Sequence, residues 1–211
     1  MLRPYYLSLS GNSCYIGIVI LYNKQRIVTL AFCGVFVLTS NLKNIYGENL
    51  KKCKSGGMKT GSWDSEGRCS ELGGGVHQIC ITKIAKNAKG FSSKTGQSNW
   101  SDQRGADNHC VCLGAWSLYA AKNNIANNIL QCDAIPENAL SEEYVSRFSE
   151  GWNKWNGLEL DNQIRHGVEQ LFRQCRNKNG KPNTYFTNKY CQFAQQVDGL
   201  RHSNLFKETC K

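Results

Sequence analysis

The sequence predicts an α+β protein: a small β-sheet packed by helices, with a helical C-terminal extension. Three observations carry that expectation. Residues 76–84 are rich in β-branched side chains and alternate as a strand does. Behind Cys110, the side chains of Cys112, Trp116, Tyr119 and Asn123 recur at helical spacing, with Ala115 and Leu118 widening the apolar stripe. From about residue 141 onward the periodicity is helical.

The composition sets the frame. At 211 residues, with 40% hydrophobic and 10% aromatic content, general disorder is excluded. A domain of this size buries roughly 70% of its unfolded surface, so it does not need disulfides merely to fold. Eleven cysteines therefore call for an account of their own. The net charge of +10 reads as a solvated, lysine-rich surface. No basic stripe with interleaved aromatics, no zinc-finger spacing and no ribonucleoprotein motif accompanies it, so no nucleic-acid partner is expected.

Residues 1–40 differ from the rest. They contain no acidic residue, three basic ones (Arg3, Lys24 and Arg26) and two apolar runs, 15–22 and 27–38. Neither run reaches the roughly 20 residues that span a bilayer as a helix. The second matches a secretory apolar region in length, follows basic residues and ends in the small Thr39 and Ser40. Residues 1–40 are thus read as a signal or targeting segment leading to the secretory pathway or the outside of the cell, with no stable membrane span after processing. An algal organelle reached through a signal-peptide route and an uncleaved membrane-anchoring leader are the alternatives. Removal of this segment takes Cys14 and Cys33 with it and leaves an odd number of cysteines: Cys53, Cys69, Cys80, Cys110, Cys112, Cys132, Cys175, Cys191 and Cys210. Secretion makes disulfides the default for these, and the odd count leaves at least one sulfur for another role.

Residues 41–140 read as the cysteine-containing α+β domain. Asn44, Ile45 and Tyr46 begin it, with a turn at Gly47, and the glycines of residues 51–75 break regular structure. In the strand of residues 76–84, a period of two puts His77 and Cys80 on opposite faces. Residues 86–105 read as a long polar connection with Trp100 as a packing anchor. Residues 129–135 read as a second strand, stopped by Pro136. Residues 141–211 read as the helical extension: a short helix capped by Ser141, a turn holding Trp152 and Trp155, and two amphipathic helices. The first of these two carries Ile164, Val168, Leu171, Phe172 and Cys175, the second Phe186, Tyr190, Phe193 and Val197. Cys175, Cys191 and Cys210 are placed to staple this tail, and His166 and His202 read as exposed.

The chemistry concentrates at Cys69, His77, Cys80, His109, Cys110 and Cys112, and three readings compete there. Some of the cysteines form structural disulfides. As thiolates, Cys69, Cys80, Cys110 and Cys112 with His77 are suitable tetrahedral ligands for zinc, although no cofactor is predicted and the spacings are not paired knuckles. As a nucleophile or redox thiol, Cys110 or Cys112 gains from the helix start behind it, with His109 or His77 as a basic neighbour. Packing of the strand on the Cys112 helix would bring Cys80 nearer to Cys110 and Cys112 than His77.

At these same residues the chain resembles the uncharacterised DUF2237 family of bacteria and algae. The resemblance is carried by Asn44-Ile45-Tyr46-Gly47 with Leu50 and Cys53, by Thr60-Gly61, Gly67-x-Cys69 and His77-x-x-Cys80, and by Asn108-x-Cys110-Val111-Cys112 followed by Trp116. The stretch from Thr95 to Trp100 is similar to the longer algal members. The likeness covers about residues 44–133. One departure stands out: members of that family usually have a tryptophan where this chain has His109. The family brings no established activity. The expectation is accordingly a disulfide-stabilised binding or structural domain, with a thiol-dependent enzyme or a zinc protein as the alternative.

Overall fold

The computed structural model describes residues 17–23, 26–32, 42–57, 61–70, 77–105, 107–125, 128–140 and 160–211. Cys14, Cys33, the triple glycine at 73–75, Val76, the helix expected from Ser141 and the turn holding Trp152 and Trp155 lie outside these residues. The chain divides into two units, 1–40 and 41–211. In the first, β1 (Gly17–Asn23) and β2 (Arg26–Phe32) pair antiparallel, from Gly17 opposite Phe32 to Asn23 opposite Arg26.

The second unit is an α+β fold. At its centre β3 (Ile79–Ile81) pairs antiparallel with β4 (His109–Val111), setting Ile79 against Val111, Cys80 against Cys110 and Ile81 against His109. On the other edge of β3, Ile81 bridges to Leu130, flanked by bonds from Thr82 N to Ile129 O (2.8 Å) and from Gln131 N to Cys80 O (3.0 Å). The sheet therefore corrects one expectation. The segment at Ile129 is a single-bridge edge, and the full partner of β3 is the stretch around Cys110, which had read as the start of a helix. The chain leaves the edge at Gln131 into a 3-10 turn, Cys132–Ala134, where Cys132 is disulfide-bonded to Cys175.

The β3 strand is shorter than its sequence pattern because Lys83 adopts a left-handed conformation (φ 44°) and turns the chain into α1 (Ile84–Asn87). The polar connection that follows is not a loop. It folds into α2 (Phe91–Lys94) and a 3-10 turn, Ser101–Gln103, whose hydroxyls replace missing backbone partners. Ser92 Oγ accepts from Trp100 N and Ser101 N (3.1 Å each), Ser101 Oγ accepts from Ser92 N (3.1 Å), and Thr95 Oγ1 donates to Phe91 O (2.9 Å). Ser92, Thr95 and Ser101 are fully buried because these bonds remove the cost of desolvating them.

Helix α3 (Leu113–Lys122) is buried from Leu113 to Ala120 on every side, the signature of a central helix. It packs chiefly on α4 (Leu160–Cys175), not on β3 as expected. Among α4 side chains, Val168, Leu171, Phe172 and Cys175 are buried, as the stripe requires. A short hairpin of β5 (Asn177–Lys178) and β6 (Lys181–Pro182) turns at Asn179 and Gly180, both at positive φ, a conformation that suits Asn-Gly. It leads into α5 (Thr184–Gln196), capped by the Asn183 side chain, which accepts from Phe186 N at 2.9 Å. The Tyr190 ring stacks on Phe172 with centroids 4.1 Å apart. Two short helices, α6 (Asp198–Arg201) and α7 (Asn204–Thr209), end the chain, and Cys191–Cys210 ties α5 to it. One core runs from Ile45 to Leu205 and joins the sheet, α3 and the C-terminal helices.

Candidate functional site

Opposite register and side-chain alternation put Cys80 and Cys110 on one face of the β3–β4 pair, with His109 on the other. The two cysteines do not bond to each other. Each reaches outward to the glycine-rich segment, forming Cys53–Cys80 (Cα–Cα 5.8 Å) and Cys69–Cys110 (Cα–Cα 5.4 Å). That segment is shaped to present both partners. Cys53 N and Lys54 N donate to Gly67 O at 2.8 and 2.9 Å. Gly67 is at φ 82°, and a Cβ there would lie 2.7 Å from the Lys54 Cβ, so glycine is required. Asp64 closes the turn by accepting from Glu66 N and Arg68 N (2.9 Å each) and from Arg68 Nε (3.0 Å). Burial opposes ionisation of Asp64, but bonds from Ser70 and Arg68 and the Arg68 charge outweigh it and hold the carboxyl below its usual range. Asn108 ties the same segment to the sheet, donating from Nδ2 to Cys53 O at 3.0 Å.

The four sulfurs of these disulfides belong to residues with no solvent exposure. The Sγ atoms of Cys53, Cys69 and Cys80 lie within 4.8 Å of one another. Cys69, Cys80 and Cys110 thus do meet, but as two adjoining disulfides joined by Cys53, and the thiol that a nucleophilic Cys110 needs is bonded to Cys69. Cys112 belongs to none of the four disulfides formed among the described residues. It caps α3, its buried Sγ accepting from Ala115 N at 3.4 Å.

His109 occupies the opposite face and is 3% exposed. Its ring lies against Trp100, with centroids 4.4 Å apart and planes inclined by 35°, while Trp63 flanks it at 6.5 Å. Nε2 is 3.3 Å from Ser62 Oγ, and Nδ1 is buried without a hydrogen-bond partner. Burial first, then the charges of Arg104 and His77, push the imidazole down to about 3. His109 is therefore neutral over the physiological range and supplies no positive charge to a thiolate at Cys112. His77, half-buried ahead of β3, is a neighbour of His109 and stands outside the sulfur group.

The rim of this face escaped the sequence reading. Trp63 folds back onto Gly61, where a Cβ would come within 1.8 Å of the indole, and Gly61 O accepts from Cys110 N at 2.9 Å. The outer faces carry cations: Lys54 Nζ is 6.0 Å from the Trp63 ring, and the Arg104 guanidinium is 5.5 Å from the Trp100 ring. Trp100 was legible as an anchor, since it packs on Phe91 and His109. No period linked Ser62, Trp63 or Arg104 to His109, because three separate segments supply them. No family model, curated protein or solved structure matches the chain.

Proposed function

We propose that residues 41–211 act as a binding domain, stabilised by the four disulfides, and that the ligand-contact face is the surface around His109. One observation carries this reading: a buried, neutral imidazole with an unmatched nitrogen, covered by two half-buried tryptophans that each hold a cation beside the ring. Such a surface suits a ligand with both a flat apolar face and an acidic group. The flat face packs on indole and the acid pairs with Lys54 or Arg104. An acidic saccharide has both features.

Tryptophan fluorescence of the full chain, titrated with a uronic-acid oligosaccharide and with a neutral glucose oligosaccharide, tests the reading. The expected result is a saturable, salt-weakened response to the acidic sugar that is lost in W63A and W100A. Equal responses to both sugars, or a response that survives both substitutions, overturn it.

Four disulfides favour an oxidising, secretory or extracellular setting. Among the described residues no helix is long and apolar enough to cross a membrane. In the proposal, residues 1–40 supply the address and are removed. N-terminal sequencing of the mature chain should then start at about Asn41, and a mature chain starting at Met1 counts against it. Kinship with DUF2237 is proposed on the ordered motifs of residues 44–133 alone. A second reading, thiol chemistry at Cys112, is favoured by the backbone N–H that Ala115 gives its sulfur. Alkylation of the folded chain at neutral pH that modifies Cys112 faster than a cysteine in an unstructured peptide is the result that supports it, and slower modification counts against it.

A further inference from the structure

We infer that Cys53, Cys69, Cys80 and Cys110 form a tetrathiolate zinc site when the chain is reduced, so that one set of sulfurs has two alternative states: two disulfides in an oxidising compartment, and one bound metal ion in a reducing one. The inference does not depend on the binding face around His109.

Structural zinc takes four ligands tetrahedrally with Zn–S near 2.3 Å, which places neighbouring sulfurs about 3.8 Å apart. In the protein the Sγ of Cys69 lies within 4.8 Å of those of Cys53 and Cys80, and the Cys110 sulfur is 2.02 Å from that of Cys69. Conversion to a tetrahedron asks each bonded pair to open by about 2 Å and Cys69 to close on Cys53 and Cys80 by about 1 Å or less, with the Cys110 sulfur swinging towards Cys53 and Cys80 as it leaves Cys69. Side-chain rotation accounts for movements of that size at the end of a cysteine.

The backbone that presents the sulfurs does not depend on the S–S bonds alone. Cys80 and Cys110 are held opposite each other by the β3–β4 ladder. Cys53 is held by its own N–H on Gly67 O and by Asn108 on its carbonyl, and Cys110 N is bonded to Gly61 O. Four thiolates on one dication form a compact unit in which each sulfur is satisfied by the metal. Lys52 and Lys54 flank Cys53 in sequence and are the nearest cations along the chain to the net double negative charge of such a site, Arg68 being paired with Asp64 and Glu66.

The chemistry balances. Two equivalents of a dithiol reductant, each oxidised to its own disulfide, deliver four electrons and four protons and convert Cys53–Cys80 and Cys69–Cys110 into four thiols. Binding of the dication then releases the four protons as the thiolates take the metal.

Cobalt(II) serves as the probe, because a tetrahedral tetrathiolate gives intense visible ligand-field bands together with ultraviolet thiolate-to-metal charge transfer. The full chain is reduced in denaturant with a dithiol, freed of reductant and refolded anaerobically with cobalt(II). The expected result is one cobalt per chain with the four-thiolate spectrum, displaced by zinc and absent from the oxidised chain. C53S, C69S, C80S and C110S each lose the four-thiolate spectrum, whereas C112S and the double variant C191S/C210S keep it. Protection from alkylation, mapped by mass spectrometry in the unsubstituted chain, gives a second measurement that does not rely on variants folding. Cobalt should shield Cys53, Cys69, Cys80 and Cys110 and leave Cys191 and Cys210 reactive. A refolded, reduced chain with no tetrahedral spectrum, or a spectrum that depends on Cys112, Cys132, Cys175, Cys191 or Cys210, overturns the inference.

Discussion

The indole N–H of Trp116 donates to the carbonyl of Gly167 at 2.8 Å, and at this crossing α3 and α4 touch backbone to backbone. A Cβ at Gly167 would lie 2.1 Å from Ser117 Oγ and 2.5 Å from Ser117 Cα. The second distance matters more, since a Cα cannot rotate away as a hydroxyl can. Gly167→Ala should therefore separate the helices, at a cost of about 1–3 kcal/mol that the better helix propensity of alanine only partly offsets. Urea denaturation measures it. The double variant G167A/S117G should recover little, because the backbone contact remains; full recovery would show that the hydroxyl alone sets the spacing.

The disulfides should rank by the chain they close. Cys132–Cys175 spans 43 residues and Cys191–Cys210 spans 19. Loop-closure entropy assigns them about 4 and about 3 kcal/mol respectively. The first also fixes α4 beside the sheet edge, where Gln174 Oε1 accepts from Ile129 N (2.9 Å) and Leu130 N (3.2 Å). Thermal unfolding of C132A/C175A should show a larger loss than that of C191A/C210A. The opposite order would show that the end of the chain is worth more to the fold than the junction of α4 with the sheet.

Acid should act on His109. Its folded value is lowered from the ordinary 6.5 to about 3, by burial first and by Arg104 and His77 after that. Above pH 6.5 both the folded and unfolded states are neutral here, and the contribution is complete. Between pH 6.5 and about 3 the unfolded state takes up a proton that the folded state refuses, so stability is lost as pH falls, by at most about 1.4 kcal/mol per unit. His109→Phe should flatten the stability–pH curve across this window relative to the unsubstituted chain. At pH 7 it should cost little, because it also removes a buried nitrogen that has no partner. Parallel curves for the two chains would mean that His109 is not the group that titrates.

The amphipathic helices were the most legible part of the chain. Val168, Leu171, Phe172 and Cys175 in α4, and Phe186, Tyr190 and Phe193 in α5, recur at the helical period, and all are buried. The turn at Gly47 follows from a residue that accepts positive φ. Where short polar stretches were concerned, the reading failed for a definite reason. Residues 86–105 have no apolar period, yet Ser92, Thr95 and Ser101 are core residues because their hydroxyls satisfy the backbone around them. A three-residue strand such as His109–Val111 is likewise too short to show alternation, and pairing with β3 alone makes it a strand.

For the cysteines the division is sharper still. By itself the sequence determined that the cysteines from Cys53 onward are odd in number, so that one sulfur must stand apart from any full set of pairs. It also determined that Cys80 sits in an apolar strand segment, and that glycines lie where the chain must turn. Which sulfur meets which was decided only by tertiary structure. Cys80 and Cys110 are directly opposed in register, but the Gly67 turn delivers Cys53 and Cys69 as their actual partners. The helix start that marks Cys112 in the sequence makes it the buried cap of α3, outside the four disulfides. Local preference is written in the spacing of side chains along one segment, whereas a sulfur's partner depends on where a distant segment is carried by hydrogen bonds and packing that no local period records.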